Sequence, residues 1–316
     1  MQICIIGDDN DLSAAYIGWL AEKRGANVIT LSEGDYGIGW TFRMAEKVGQ
    51  GSIDTDRNII DLSGIDGALV RLNPEPPIPA ILGIPKEIEH IYALERRYGL
   101  QWLLDNAPFP VVNRPHAGRS NSSKPYQMMR LSAAGFRVPS WVVTNDPQTA
   151  VGFMDSHGGQ AIYKACSGLR SHVRLADDAL IARLKEGSSP VVLQEYISGV
   201  DVRVHVVGRK TFATEVRSEA IDYRFEAETN HYGIANLPSS IQELCKTVAA
   251  AEELAIAGFD FRRAPDETWW CLEVNPVPTF LPYEAATGHP IGDAVIDLFG
   301  ASPRPGNKIS RLHSLL

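Results

Sequence analysis

The sequence predicts an α/β fold that takes on α+β character in its later part. Two observations support this. Short apolar runs alternate with stretches of helical period through the N-terminal third. Beyond a break near residue 112, strand patterns outnumber helical ones. Strands alternating with helices imply a parallel, helix-covered sheet. Ile3–Ile6 is the first apolar run and ends at Gly7. Residues 13–24 follow helical spacing, with Gly25 as the stop. Val28–Leu31 and residues 67–72 are further strands. Residues 88–104 read as a helix, ended by Pro108 and Pro110. The stretch Asn73-Pro74-Glu75-Pro76-Pro77-Ile78-Pro79 reads as turns.

After the break, residues 123–135 read as a helix closed by Gly135. Residues 138–144 read as a strand, Asp146-Pro147 as a helix start, and 161–165 as a strand running into a Gly/Ser loop. Strands follow at 191–197, 202–207 and 210–216. Residues 241–257 read as a helix stopped by Gly258, and 268–274 as a last strand.

Composition narrows the function. The chain has 316 residues, 44% of them hydrophobic, with 38 acidic and 30 basic side chains giving a net charge of −8. That acidity argues against a protein that coats nucleic acid, which needs a basic face. No apolar run is long enough for a membrane span. The first residues lack the charged and apolar regions of a signal peptide. Four cysteines without a CxxC pair build neither a zinc site nor a disulfide framework and suit a reducing cytoplasm. Cys4 and Cys271 sit in apolar runs as core residues, while Cys166 lies in a loop. The acidic turn Gly7-Asp8-Asp9-Asn10-Asp11 is no GxGxxG fingerprint, and no P-loop motif occurs.

Three groups of residues carry candidate chemistry. Glu273 and Asn275 stand two apart on one strand and so share a face. With Asp260 they would give hard oxygen ligands suited to magnesium, although strand-borne polar residues also read as the solvated face of a sheet. Lys164 ends a strand before the loop Cys166-Ser167-Gly168-Leu169-Arg170-Ser171, and Lys124 begins a helix. Both suit phosphate, and both also read as surface charges. Val191-Val192-Leu193-Gln194-Glu195-Tyr196-Ile197 ends in a polar hinge that can offer main-chain groups to an adenine edge. Asp201 and Arg203 beyond it could reach ribose and phosphate, or could simply pair with each other.

Taken in order, several segments resemble the ATP-grasp superfamily. They are Gln194-Glu195-Tyr196-Ile197, Asp201-x-Arg203, Asp222-Tyr223-Arg224, Asp260-Phe261-x-Arg263 and Glu273-Val274-Asn275-Pro276 with Thr287-Gly288. The chain is most similar to the branch of the ribosomal-protein glutamate ligase and the graspetide synthetases. Asn113, Ser123-Lys124, Val138-Pro139, residues 144–147 and Tyr163-Lys164 fit the same branch. The resemblance implies an ATP-grasp fold behind an N-terminal α/β pre-ATP-grasp domain. The expected divisions are 1–112, 113–190 with a phosphate-covering loop, and 191–316 with the magnesium site. Departures are Ser123 where the branch often has Asp, Ala165 after Lys164, and the run from Phe225 to Gly233.

The resemblance also implies roles. ATP would be held by Lys124 and Lys164 on its phosphates, by Gln194, Glu195, Tyr196 and Ile197 at adenine, and by Asp201 at ribose. Arg203, Arg224 and Lys164 would act on the reacting groups. Asp260, Glu273 and Asn275 would hold Mg2+, with Mn2+ as a substitute. The implied reaction is carboxylate–amine ligation through an acyl-phosphate, releasing ADP. The substrate would be an amino acid, a small peptide or a side chain of a precursor peptide, and a homo-oligomer is compatible. The rival readings are a non-catalytic nucleotide-binding module and a phosphotransferase.

Overall fold

A computed structural model describes residues 1–37, 39–44, 50–76, 85–168, 173–218 and 230–300. The chain divides into two compact units, residues 1–117 with 290 onward, and residues 118–289.

In the first unit, β1 (Gln2–Gly7), α1 (Leu12–Lys23) and β2 (Asn27–Ser32) form the opening βαβ unit. Asp11 starts α1 by accepting from the Ser13 and Ala14 backbone N–H groups at 2.9 and 3.0 Å. A three-stranded antiparallel sheet follows, β3 (Trp40–Met44), β4 (Gly51–Thr55) and β5 (Ile59–Asp61), which the sequence pattern did not reveal. Then come β6 (Gly67–Arg71), α2 (Glu89–Asn106) and β7 (Val111–Val112). The strands of the main sheet lie in the order β2-β1-β6-β7, and all of its pairs are parallel. β1 is buried along nearly its whole length, which explains why its sequence is a continuous apolar run rather than an alternating one. Its core includes Cys4, Ile6, Leu100, Leu103 and Leu104. Pro77 to Pro79 of the proline-rich stretch lie outside the described residues.

The second unit opens with α3 (Lys124–Ala133), β8 (Trp141–Thr144), α4 (Pro147–Ser156), β9 (Ala161–Ala165), β10 (Arg174–Leu175), α5 (Asp178–Lys185) and β11 (Val191–Glu195). These four strands pair antiparallel in the order β10-β9-β11-β8. A core of Ala150, Leu180, Leu184 and Leu193 joins them to α4 and α5. Residues 169–172 of the expected phosphate-covering loop lie outside the described residues.

Next come β12 (Val200–Val207), β13 (Lys210–Arg217), β14 (His231–Ile234), α6 (Ser239–Ala251), β15 (Ile256–Arg263), β16 (Trp269–Asn275) and α7 (Leu281–Thr287). The sheet order is β14-β13-β12-β15-β16, antiparallel throughout. The helix expected over 241–257 instead stops at Ala251, and Ile256–Arg263 is a strand. Glu253 takes φ 57°, which ends the helix, and the alanine-rich segment after it gives up its helical propensity to pair with β12. Finally α8 (Ile291–Gly300) belongs to the first unit, where Arg24 of α1 pairs with Asp293 and Asp297. No helix among the described residues is long and apolar enough to cross a membrane.

Candidate active site

β12 is buried on both faces, with opposite chemistry on each. Val202, Val204 and Val206 alternate with Asp201, Arg203 and His205, so one face is apolar and the other polar. Buried polar groups need partners, and the strands beside β12 supply them. Arg203 lies opposite Asp260 of β15, and Asp260 lies opposite Glu273 of β16. Arg203 Nη1 donates to Asp260 Oδ1 at 2.6 Å. Glu273 receives a different cation: Lys124 Nζ from the first turn of α3 donates to its Oε2 at 2.9 Å. Two carboxylates directly opposite on adjacent strands repel, and each is offset here by its own cation.

α3 is fixed to this sheet by Gln127. Its Nε2 donates to the Val274 carbonyl at 2.8 Å, and its Oε1 accepts from the Val274 N–H at 3.1 Å. Sequence reading missed Gln127, although it stands three residues after Lys124 and so lies near it on the helix surface. The N-terminal end of α3 is also tied to the exit of β9. The Lys124 N–H donates to the Cys166 carbonyl at 2.8 Å, and Ser123 bridges Ser167. Gly168 packs against the 121–122 backbone, where a Cβ would come within 2.2 Å of the Asn121 carbonyl oxygen.

Lys164 sits inside β9, opposite Val192 of β11, and is buried. Gln194 of β11 is also buried, and its Oε1 has no hydrogen-bond partner among the described residues. At the expected adenine hinge, the Glu195 N–H donates to Ser140 O and the Tyr196 N–H donates to Gln160 O, so neither is available to a base. The Glu195 carboxylate accepts from the Ser140 N–H at 3.2 Å. Asp201 pairs with Arg262 at 3.0 Å, and that guanidinium lies 5.8 Å from the Tyr196 ring centroid. Asp201 and Arg203 thus each have a charged partner on β15, Arg262 and Asp260. Arg224 lies outside the described residues.

The expected magnesium ligands share one face. Asp260 is opposite Glu273, and Asn275 lies two residues further along β16, where its Oδ1 accepts from the Val277 N–H at 2.8 Å. Two carboxylates and an amide oxygen are the hard donors that Mg2+ prefers, so the donor set fits the ion. Among the described residues there is no cluster of three or more His, Cys, Asp or Glu side chains placed to hold a metal, and Mg2+ commonly takes only one or two protein carboxylates with water and phosphates. Cys271 lies behind this group, fully buried. Desolvation, with Cys245, Asp260 and Glu273 adding to it, pushes its thiol well above the usual range, which leaves it a packing residue.

The fold is shared with solved ATP-grasp ligases. A RiPP-associated ATP-grasp ligase from Chryseobacterium gregarium, in complex with ADP and a leader and core peptide, superimposes with a TM-score of 0.82 at 20% identity. The match covers 98% of this chain and 99% of that one. The ATP-grasp ligase PsnB, complexed with minimal precursor, Mg and ADP, gives 0.76 at 23% identity, over 94% and 97% of the two chains. In sequence, the chain is 27% identical to a probable alpha-L-glutamate ligase of Aliivibrio salmonicida, over 59% of this chain and 65% of that relative's length. No family profile matches the sequence.

Proposed function

We propose that the protein is an ATP-dependent carboxylate–amine ligase that releases ADP, works in a reducing cytoplasm and uses a peptide as its substrate. The observation that carries this reading is the row Arg203, Asp260, Glu273 and Lys124, in which two cations flank two carboxylates on one face. Such a row can accept a nucleotide's phosphates together with a divalent cation, because the cations and carboxylates can exchange partners as charge arrives. The peptide substrate is supported by two structural neighbours, one solved with a leader and core peptide and the other with a minimal precursor.

In this reading Asp260, Glu273 and Asn275 hold Mg2+, which when bound offsets phosphate charge. Lys124 and Lys164 bind the phosphates, and Arg203 and Arg224 face the phosphoryl group that moves. Gln194 lies behind the base. Glu195, Tyr196 and Ile197 form the hinge, and Asp201 takes the ribose. The Ile197 N–H makes no hydrogen bond among the described residues, whereas the two N–H groups before it are taken, so Ile197 is the hinge donor that can meet adenine. A substrate carboxylate attacks the γ-phosphorus and ADP departs. An amine then attacks the acyl carbon and phosphate leaves, giving an amide.

The test is incubation with Mg-ATP and acidic, lysine-bearing peptides, followed by product mass. ADP with a peptide lighter by one water supports the ligase. A phosphorylated peptide would mean a phosphotransferase, and nucleotide binding without turnover a non-catalytic module.

A further inference from the structure

His205 is fully buried on the polar face of β12, two residues from Arg203, and no step of the proposed reaction uses it. Its Nε2 lies 3.0 Å from the Thr279 carbonyl. A carbonyl only accepts, so Nε2 carries the proton, and Nδ1 has no partner among the described residues. The ring stands edge-on to Tyr283 of α7, with centroids 5.1 Å apart at 64°. Tyr232 of β14 meets the same Tyr283 ring at 5.6 Å and 82°. Tyr283 in turn faces the Arg203 guanidinium, whose carbon lies 5.8 Å from the ring centroid.

Gly258 of β15 lies opposite His205. A Cβ there would come 2.9 Å from both Cζ and Nη2 of Arg203 and 2.6 Å from Cβ of Pro278. The guanidinium therefore occupies the space this glycine leaves, with Asp260 holding its Nη1. Pro278 and Thr279 stand three and four residues past Asn275, the end of β16, so the His205 bond anchors the segment that leaves the expected metal ligands.

We propose that His205 is a positioning residue for Arg203, anchoring the Thr279 carbonyl and bracing Tyr283 so that the guanidinium is held against Asp260 in the space above Gly258. Both properties of histidine are used. Phenylalanine would keep the edge but lose the donor, and an amide would keep a donor but lose the edge. Burial holds the ring neutral, so it adds no second positive charge beside Arg203. The catalytic consequence rests on the ligase reading given above, while the geometric claim does not.

The test follows the Arg203 Nε–H by nitrogen-15 NMR relaxation in the wild type, His205→Leu, Tyr283→Leu and Tyr283→Phe. The signal is expected to be rigid in the wild type and Tyr283→Phe and mobile in both leucine variants. Tyr283 lies on α7 outside the sheet, so Tyr283→Leu carries the test should His205→Leu fail to fold. For the turnover readout, kcat for ADP release falls by roughly tenfold or more in the leucine variants while KM for ATP stays within about twofold, since a misplaced group costs the reacting step rather than ground-state binding. An Arg203 signal as rigid in folded leucine variants as in the wild type overturns the proposal. Absence of ADP release from the wild type would instead overturn the ligase reading, and the NMR result would still decide the geometry.

Discussion

The side-chain amide of Gln127 pairs with both backbone groups of Val274, so a helix residue satisfies the strand residue that follows Glu273. This pairing sets the position of α3, and with it Lys124, relative to the carboxylate that Lys124 contacts. Removing it strands two buried backbone groups. Gln127→Ala is expected to lower stability by about 2–4 kcal/mol, since each bond contributes about 1 kcal/mol and an unsatisfied buried group costs more. Urea denaturation measures this, and a change within experimental error would contradict the anchoring role.

Lys164→Met and Glu273→Ala are expected to abolish ATP-dependent ADP release while keeping the fold. Lys164 lies inside β9, so methionine is the better test there, because it retains most of the buried stem. Full activity in both variants, with circular dichroism unchanged, would remove these residues from the site.

His205 gives a pH signature in stability. Desolvation by burial lowers its pKa from an ordinary 6.5 to about 3, with Arg203 and His289 adding to the effect and the Thr279 bond opposing it. The folded ring stays neutral where the unfolded ring gains a proton. Its contribution is therefore full above pH 6.5 and is lost as pH falls toward 3. The slope is about 1.4 kcal/mol per pH unit, or about 2 kcal/mol between pH 6.5 and 5. Subtracting the stability–pH profile of His205→Leu from that of the wild type isolates this term, and a flat difference would show that the ring protonates in the fold.

Thiol chemistry separates Cys166 from the other three cysteines. Cys4, Cys245 and Cys271 are buried and Cys166 is partly exposed. A water-soluble disulfide reagent is expected to titrate one thiol in the native protein and four after denaturation. Mg-ATP should slow the native reaction, because the Cys166 carbonyl is bonded to the Lys124 N–H. Rapid labelling of more than one thiol in the native protein would contradict this burial.

The sequence exposed those parts of the fold whose local signals agree with their tertiary setting. β1 and β6 are buried parallel strands and read as apolar runs, while α1 carries an aspartate cap and a glycine stop. The three-stranded sheet β3-β4-β5 was missed because its strands are short and half-exposed. The start of β15 was misread because its alanines favour helix until β12 claims them. Spacing put Glu273 and Asn275 on one face, and the oxygen chemistry of the preceding segment added Asp260 to the set. What single residues could not show was their pairing across elements, such as Arg203 with Asp260, Asp201 with Arg262, and Gln127 with Val274. Each depends on register between segments far apart in the chain.

The central claim, that this face binds Mg-ATP for catalysis, is tested most directly by calorimetric titration of the wild type and Glu273→Ala with ATP, each with and without magnesium. The account predicts saturable one-to-one binding to the wild type that requires magnesium and is lost or strongly weakened in Glu273→Ala. No binding to the wild type, or equal binding to both proteins, would contradict it.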